Sequence, residues 1–434
     1  MHLHVPRETA EGERRVGATP DTVKRYSNLG FTVTVERGAG AGSRIPDAEY
    51  EAAGAELVDG ARQADVVVRV RRPSADEARQ YGEGAAIVAT MDPYGNEDAV
   101  RELAEAGVTA FSMELMPRIT RAQTMDVLSS QANLAGYQAV IDAAEQFDRA
   151  MPMMMTAAGT VPAAKVFVMG AGVAGLQAIA TARRLGAVVS ATDVRPAAKE
   201  QVASLGAKFV AVEDDEFKAA ETAGGYAKEM SEAYREKQAK LTADHIAKQD
   251  IVITTALIPG RPAPKLVSGD AVRSMKPGSV LVDLAVERGG NVEGAKADEV
   301  VDVDGVSIVG HRNVPGRIAA TASQLYARNL HAFVETLVED CKLVIDMDDE
   351  LVKATALTHG GRLVHAMFGA EPEPAPGELE AATPVESSNE VSSNGEDGAG
   401  ATTAEGAAGT AGSGEGVRGD PGLPTEQDED SRPA

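Results

Sequence analysis

Gly170, Gly172 and Gly175 follow directly on the apolar run Val166-Phe167-Val168-Met169 and lead into Leu176, Ile179 and Ala180 at helical spacing. Residues of these types at this spacing can hold a phosphate. The first glycine allows a tight turn, the second lets a pyrophosphate approach bare backbone, and the third lets helix and strand pack closely. The anion then rests on a helix N-terminus, where free N–H groups and aligned peptide dipoles favour negative charge. On its own a G-x-G-x-x-G is a weak signal. Here a second apolar run, Val188–Thr192, ends at Asp193, 18 residues beyond Gly175. An acid at that position hydrogen-bonds an adenosine ribose. Loop and acid together predict a Rossmann unit that binds NAD(H). Asp193 would repel a 2′-phosphate and so favours NAD over NADP, while Arg195, two residues on, opposes that preference.

A second polar segment, Pro117-Arg118-Ile119-Thr120-Arg121-Ala122-Gln123-Thr124-Met125-Asp126, brings an arginine, an amide and a carboxylate close together. Such a set can fix the orientation of a carboxamide ring through complementary donors and acceptors. The plainer alternative is the start of a helix with Asp126 in its first turn. A third segment, Glu221-Thr222-Ala223-Gly224-Gly225-Tyr226-Ala227, precedes a charged helix running through Lys240. Its adjacent glycines suit a surface hinge, or a flap that lays Tyr226 over a bound cofactor.

The elements that must position these groups follow from periodicity. Residues 1–125 alternate β-rich runs at 32–36, 65–70, 85–90 and 109–113 with helix-like stretches at 47–53 and 97–106. This is an α/β pattern with a parallel sheet. From 129 to 144, Leu134, Tyr137, Ala139, Val140 and Ala143 recur at helical spacing, in a segment able to bridge two domains. A second α/β unit spans 165–310, with strands at 165–169, 188–192, 208–212, 251–254 and 280–283. Helical stretches at 320–338 and 349–357 are expected to return to the first domain, since the second sheet is by then complete. The expected fold is α/β, with two doubly wound domains on parallel sheets. One is a Rossmann domain over 128–311; the other is a Rossmann- or flavodoxin-like domain over 1–127, completed by 312–370. Beyond 370, Pro, Glu, Gly, Ala, Ser and Thr dominate. Such a composition cannot bury enough apolar surface to offset its ordering entropy, so 371–434 is expected to be a disordered acidic tail.

Composition narrows the function classes. The 434 residues allow two or three domains at roughly 100–200 residues each. Aromatics are 4% and Trp is absent, so Ala, Val, Leu and Gly must do the packing, which suits α/β layers. The net charge is −24, and 371–434 holds 15 Asp and Glu against 2 Arg. Nucleic acid and anionic membrane surfaces are thereby disfavoured as partners. The acidity is compatible with a salt-adapted proteome or simply with solubility. The single Cys341 excludes an internal disulfide and points to a reducing compartment. The N-terminus lacks the apolar core of a signal peptide. The apolar stretch 150–182 is interrupted by Pro152, Pro162 and Lys165. It is better explained by a strand, a phosphate loop and a buried helix than by a membrane span.

With these residues in view, the chain resembles the soluble NAD(H)-binding subunit of proton-translocating NAD(P) transhydrogenase, the family's first domain. The matching stretches are MELMPRITRAQTMDVLSSQANLAGYQAV at 113–140, the glycine loop at 170–176 with TDVRP at 192–196, GGYAKEMSEAYREKQ at 224–238, and NVPGRIAATASQLYARN at 313–329. With the opening PRETAEGERRVGATP, the resemblance covers about 1–368. It implies that Arg118 and Asp126, with Ser129, hold the nicotinamide end of NAD(H), in a loop that includes Ile119, Thr120, Thr124 and Met125. It implies that Gln123 reaches toward NADP(H) on a partner subunit. Tyr226 would lie on a mobile closing loop, and Asp193, Val194 and Arg195 would surround the adenosine ribose. Val173, Gly225, Gln238 and Leu257 would complete the pocket. The implied partners are membrane subunits, an NADP(H)-binding subunit and a second copy of the chain. The implied location is the cytoplasm, at the plasma membrane through those subunits. The acidic tail has no counterpart in the family pattern.

The implied reaction is reversible hydride transfer between two nicotinamides held at roughly 3–3.5 Å in a dry cleft. No general acid or base is needed, so none of the seven His requires a catalytic reading. Alanine dehydrogenase, of the same fold, is the rival. Its family uses Arg, Lys and His on an amino-acid substrate. Arg15 fits the arginine, but Arg71 stands at the lysine position and Met91-Asp92-Pro93 offers no His. Arginine cannot shuttle a proton near neutral pH. A non-enzymatic NADH-sensing module is a third possibility.

Overall fold

Val66-Val67-Val68-Arg69-Val70 is buried at every position, as a strand covered on both faces must be. It lies at the centre of the first of two large sheets in this computed structural model, which describes residues 1–218 and 231–370. Gly225 and Tyr226, and the expected tail at 371–434, lie outside those residues. The first sheet is built from β1 (His2–Val5), β2 (Thr32–Glu36), β3 (Glu56–Val58), β4 (Val66–Arg71), β5 (Ala86–Thr90) and β6 (Thr109–Ser112). They lie in the order β3-β2-β1-β4-β5-β6, all parallel, with two late strands beyond β6. Alternation along β4 divides its valines between two cores. Val66, Val68 and Val70 pack with Tyr326, Leu330 and Phe333, while Val67 packs with Tyr81, Leu103 and Leu357. Covering both faces in this way makes the sheet doubly wound.

The second sheet repeats the arrangement. A short hairpin, β7 (Met154–Thr156) and β8 (Gly159–Val161), precedes β9 (Lys165–Met169), β10 (Val188–Thr192), β11 (Lys208–Phe209), β12 (Ile251–Thr254), β13 (Val280–Asp283), β14 (Val300–Val303) and β15 (Val306–Val309). Their order is β11-β10-β9-β12-β13-β15-β14, parallel except for β14 at the edge. Val166 and Val168 face one core and Phe167 and Met169 the other. Both sheets thus reverse direction beside their first strand, between β1 and β4 and between β9 and β12. In open α/β sheets, such a switch point opens a crevice at the carboxyl ends of the strands.

Two helices join the halves. The bridging helix, Val127–Gln146, starts with Val127 in the first sheet's core and ends with Ala139, Val140 and Ala143 in the second's. The return helix, Ala319–Thr336, brings Tyr326, Leu330 and Phe333 back to the first core. There Phe333 meets Phe111 edge to face at 5.2 Å, a geometry worth about 0.5–1.5 kcal/mol beyond burial alone. The chain then forms β16 (Val338–Glu339), β17 (Lys342–Leu343), β18 (Ala356–His359) and β19 (Arg362–Leu363). β18 adds antiparallel to β6.

The expected α/β architecture is present, with corrections in detail. Neither sheet is purely parallel, because β14, β18 and β19 close edges through hairpins. The strand expected over 208–212 stops at Phe209, the chain turning away at the sheet's edge. The helix expected through Lys240 continues to Ile246, which is buried against the second sheet. The 349–357 stretch splits into the helix Glu350–Thr355 and β18. The apolar stretch 150–182 holds a hairpin, a strand and a helix. Among the described residues, no helix is long and apolar enough to cross a membrane.

Candidate functional site

The glycine loop lies between β9 and the helix Val173–Arg184, beside the second sheet's switch point. Gly170 adopts φ +103°, a conformation that side chains disfavour. A Cβ on Gly175 would stand 1.8 Å from the Gly170 carbonyl oxygen, so the third glycine is required for helix and turn to touch. Gly172 differs: it caps the helix at an ordinary φ of −76°, and a Cβ there would meet nothing within 4 Å. The backbone at 172 is therefore bare toward open space, and no side chain caps the helix behind it. Those are the requirements of a pyrophosphate cradle, and the residues present fit a dinucleotide.

Asp193 ends β10 and faces this loop. Its Oδ2 accepts a 2.7 Å hydrogen bond from the Ala171 amide, which ties strand end to glycine turn. The Arg195 amide, Nε and Nη2 donate to the same carboxylate at 2.8, 2.9 and 3.0 Å. The arginine that opposed an NAD preference in the sequence is thus engaged by the acid that favours it. Exposed apolar side chains ring the loop: Val173, Val194, which is 63% exposed, and Leu257 after β12. Gln238, on the helix Glu232–Ile246, accepts from the Val212 amide at 2.9 Å and donates toward Thr192 at 3.4 Å.

The polar segment folds as a 3-10 turn, Thr120–Met125, ending at Asp126. Asp126 is the N-cap of the bridging helix rather than a first-turn residue: its Oδ1 accepts from the Ser129 amide at 2.8 Å and its Oδ2 from the Ser129 hydroxyl at 2.5 Å. Ala122 and Met125 are buried and pin the turn, while Arg118, Thr120, Gln123 and Thr124 are exposed and Ile119 is half-buried. The structure brings Arg118, Gln123, Asp126 and Ser129 together at one end of the bridging helix. That helix lies against the phosphate-loop helix, with Gly136 at the backbone of Ala174.

The rival chemistry maps to the carboxyl end of β4. Arg15 is buried and forms a double contact with the buried Glu13 carboxylate, at 2.8 and 2.7 Å. Arg71 Nε donates to the same carboxylate at 2.9 Å. Burial would raise the Glu13 pKa, but the hydrogen bonds and charge of Arg15, then the charge of Arg71, hold it at about 2. The loop at 91–92 is held by Glu114, which accepts from the Met91 amide at 3.0 Å and the Ser112 hydroxyl at 2.6 Å. Burial raises the Glu114 pKa against those bonds. Across the cleft, Asp92 pairs with Arg288. Among the described residues, no histidine and no lysine belongs to this cluster.

Several supporting residues escaped sequence reasoning because they are singly placed and distant in the chain. Asn329 of the return helix donates from Nδ2 to the Thr124 carbonyl at 2.7 Å and accepts from the Ser130 hydroxyl at 2.7 Å. Gln131 accepts from Arg15 at 2.9 Å and donates to the Ala322 carbonyl at 3.1 Å. Arg317 reaches Asp142 of the bridging helix at 3.1 Å. Asn329 and Arg317 both fall in the 313–329 stretch, the only hint the sequence carried.

Comparison with known proteins agrees with this geometry. Residues 4–135 match the family model described as alanine dehydrogenase/PNT, N-terminal domain, and 139–366 match its C-terminal domain. The chain is 54% identical over 376 residues to the separately encoded first portion of the NAD(P) transhydrogenase alpha subunit of Rhodospirillum rubrum, covering 84% of this chain and 98% of that one. The crystal structure of a transhydrogenase from Sinorhizobium meliloti superposes with a TM-score of 0.78 at 66% identity, over 84% of this chain and 100% of that one. An alanine dehydrogenase of Halomonas elongata is 30% identical over 378 residues, covering 84% of this chain and 95% of its own. The chain belongs to the alanine dehydrogenase/PNT family, with the alpha subunits of NAD(P) transhydrogenase as close homologues.

Proposed function

We propose that the chain is the NAD(H)-binding subunit of a proton-translocating NAD(P) transhydrogenase, in which hydride passes directly and reversibly to NADP(H) on a partner subunit. The observation that carries this reading is the open cradle at Gly172, joined through the bridging helix to an exposed Arg118–Gln123 turn without a proton-shuttling group. NAD(H), when bound, supplies or accepts the hydride. The amides around Gly170, Gly172 and Gly175 bind the pyrophosphate. Asp193 accepts from the ribose hydroxyls, and its charge, with Val194 and Arg195 around it, selects NAD over NADP. Arg118, Asp126 and Ser129 orient the carboxamide, with Ile119, Thr120, Thr124 and Met125 shaping the turn. Val173 and Leu257 exclude water, Gln238 fixes the wall behind Thr192, and Gln123 meets the partner's nucleotide. Gly225 and Tyr226 are assigned to the closing loop.

The domain division at 1–127 with 312–370, against 128–311, belongs to the same proposal. So do a tail from 371 and attachment to the plasma membrane through partner subunits. A homodimer is supported by the hairpin β7–β8, where Met153, Met154 and the 80% exposed Met155 present apolar surface that a second copy would cover.

The test is direct. The purified chain binds NADH and shows no alanine-dependent NAD reduction; hydride transfer appears only when an NADP(H)-binding partner is added. Asp126→Asn preserves the helix cap, since Asn caps as well as Asp, and removes the charge. It should lower transfer more than NADH affinity, the mark of an interaction made during transfer. Robust alanine turnover by the isolated chain would favour the dehydrogenase reading.

A further inference from the structure

We infer that Asn329 is a positioning residue for hydride transfer, an amide clamp that brackets Asp126 from the return helix; this rests on the transhydrogenase reading above. Both ends of its carboxamide are committed. Nδ2 donates to the Thr124 carbonyl and Oδ1 accepts from the Ser130 hydroxyl, each at 2.7 Å. Thr124 precedes Asp126 by two residues and Ser130 follows it by four, so one side chain holds the polar turn and the helix start in a single register. The Ser130 hydroxyl also faces the Val127 carbonyl at 3.2 Å and lies 3.3 Å from the Gln131 amide nitrogen.

Asn329 is buried, so water does not replace a lost partner without rearrangement. Its neighbours on the return helix, Leu330 and Phe333, are fixed in the first core. The clamp therefore transfers the rigidity of a packed helix to a turn whose own side chains, Arg118 and Gln123, are exposed. On the outer side, Arg121 pairs with Asp349 at 2.6 Å, but that arginine is half-exposed and the pair is correspondingly weak. The inner contact is the one that sets the turn. Small displacements of orienting groups cost rate more than affinity. The phosphate loop and Asp193, which carry much of the binding, lie on the other half of the molecule and do not touch Asn329.

The experiment uses the full chain with its NADP(H)-binding partner and three variants: Asn329→Ala, Asn329→Asp and Ser130→Ala. Asn329→Ala should lower the hydride-transfer rate about tenfold while NADH affinity stays within about twofold. Asn329→Asp keeps the acceptor for Ser130 but sets a carboxylate against the Thr124 carbonyl, so it should not restore the rate. Ser130→Ala should show a smaller loss of the same kind. Amide hydrogen exchange should accelerate in 120–130 in each variant and remain unchanged in 170–175. Rate and affinity falling in parallel, with exchange rising throughout, would overturn the inference, as would an unimpaired Asn329→Ala. If Asn329→Ala does not fold, Ser130→Ala decides by the same split. A wild type that transfers no hydride would overturn the transhydrogenase reading together with this role. A wild type that transfers beside an equally active Asn329→Ala would overturn the clamp alone.

Discussion

Gly136 of the bridging helix and Ala174 of the phosphate-loop helix meet backbone to backbone: a Cβ on Gly136 would lie 2.0 Å from the Ala174 carbonyl oxygen. The helix that Asp126 caps is thus registered against the loop that Asp193 braces, through a contact without side chains. Polar turn and phosphate cradle are mechanically coupled through it.

Gly136→Ala tests that coupling. Alanine gains about 1 kcal/mol of helix propensity over glycine, yet the two helices must separate to admit it. Overpacking of this kind costs about 1–3 kcal/mol, so the steric term should prevail. The melting temperature should fall and NADH affinity with it, because the cradle shifts. A variant as stable as the wild type with unchanged affinity would show that the helices slide freely.

The glycines of the loop should separate by role. Gly175→Ala places its methyl 1.8 Å from the Gly170 carbonyl oxygen and should destabilise the fold by about 1–3 kcal/mol. Gly172→Ala meets no protein atom within 4 Å and keeps a permitted φ, so its thermal stability should match the wild type. Its NADH affinity should nonetheless fall at least about tenfold, because the methyl occupies space meant for the pyrophosphate. Calorimetry and thermal melts on both variants settle this; undiminished NADH binding by Gly172→Ala would mean that no phosphate approaches there.

Cofactor preference should turn on Asp193. Asp193→Asn removes the charge that would repel a 2′-phosphate and weakens the hold on Arg195. NADH affinity should drop and NADPH affinity rise, shifting their ratio by about tenfold or more, since hydrogen bonds to charged groups contribute roughly 1.5–3 kcal/mol. Titrations with both nucleotides in the wild type and the variant measure it. An unchanged ratio would remove Asp193 from ribose recognition.

These sites differ in how legible they were. Gly170, Gly172, Gly175 and Asp193 lie within one contiguous βαβ unit, where local spacing encodes geometry. The strands β4 and β9 were equally plain, because burial on both faces leaves unbroken valine runs. Asp126 was placed at the correct helix end but not at the cap, since a cap and a first-turn acid differ by one residue. Asn329, Gln131 and Arg15 could not be read as a set: their contacts span 116 to 205 residues of chain, and polar residues on buried helices carry no period. β14 and β15 were missed because their alternating, half-exposed pattern is that of a surface hairpin.

The remaining prediction concerns acid stability and rests on His4 in β1, between Thr34 and Val67. Burial, then the nearby charges of His2, Arg62 and Arg69, lowers its pKa from 6.5 to about 4, despite hydrogen bonding to Thr34. Between those values the unfolded chain binds a proton that the folded chain refuses. Stability is therefore complete above about pH 6.5 and is lost as pH falls toward 4, by an amount on the order of 3 kcal/mol. His245, His311, His331 and His365 are also lowered by burial and add to the same slope. His4→Gln cannot titrate but keeps an amide for Thr34. Its melting temperature should fall less steeply than the wild type's between pH 6.5 and 4, and the two curves should run parallel above 7. Identical slopes below 6.5 would mean that His4 takes up its proton without cost, and that the buried edge of β1 opens to water before the rest of the first sheet does.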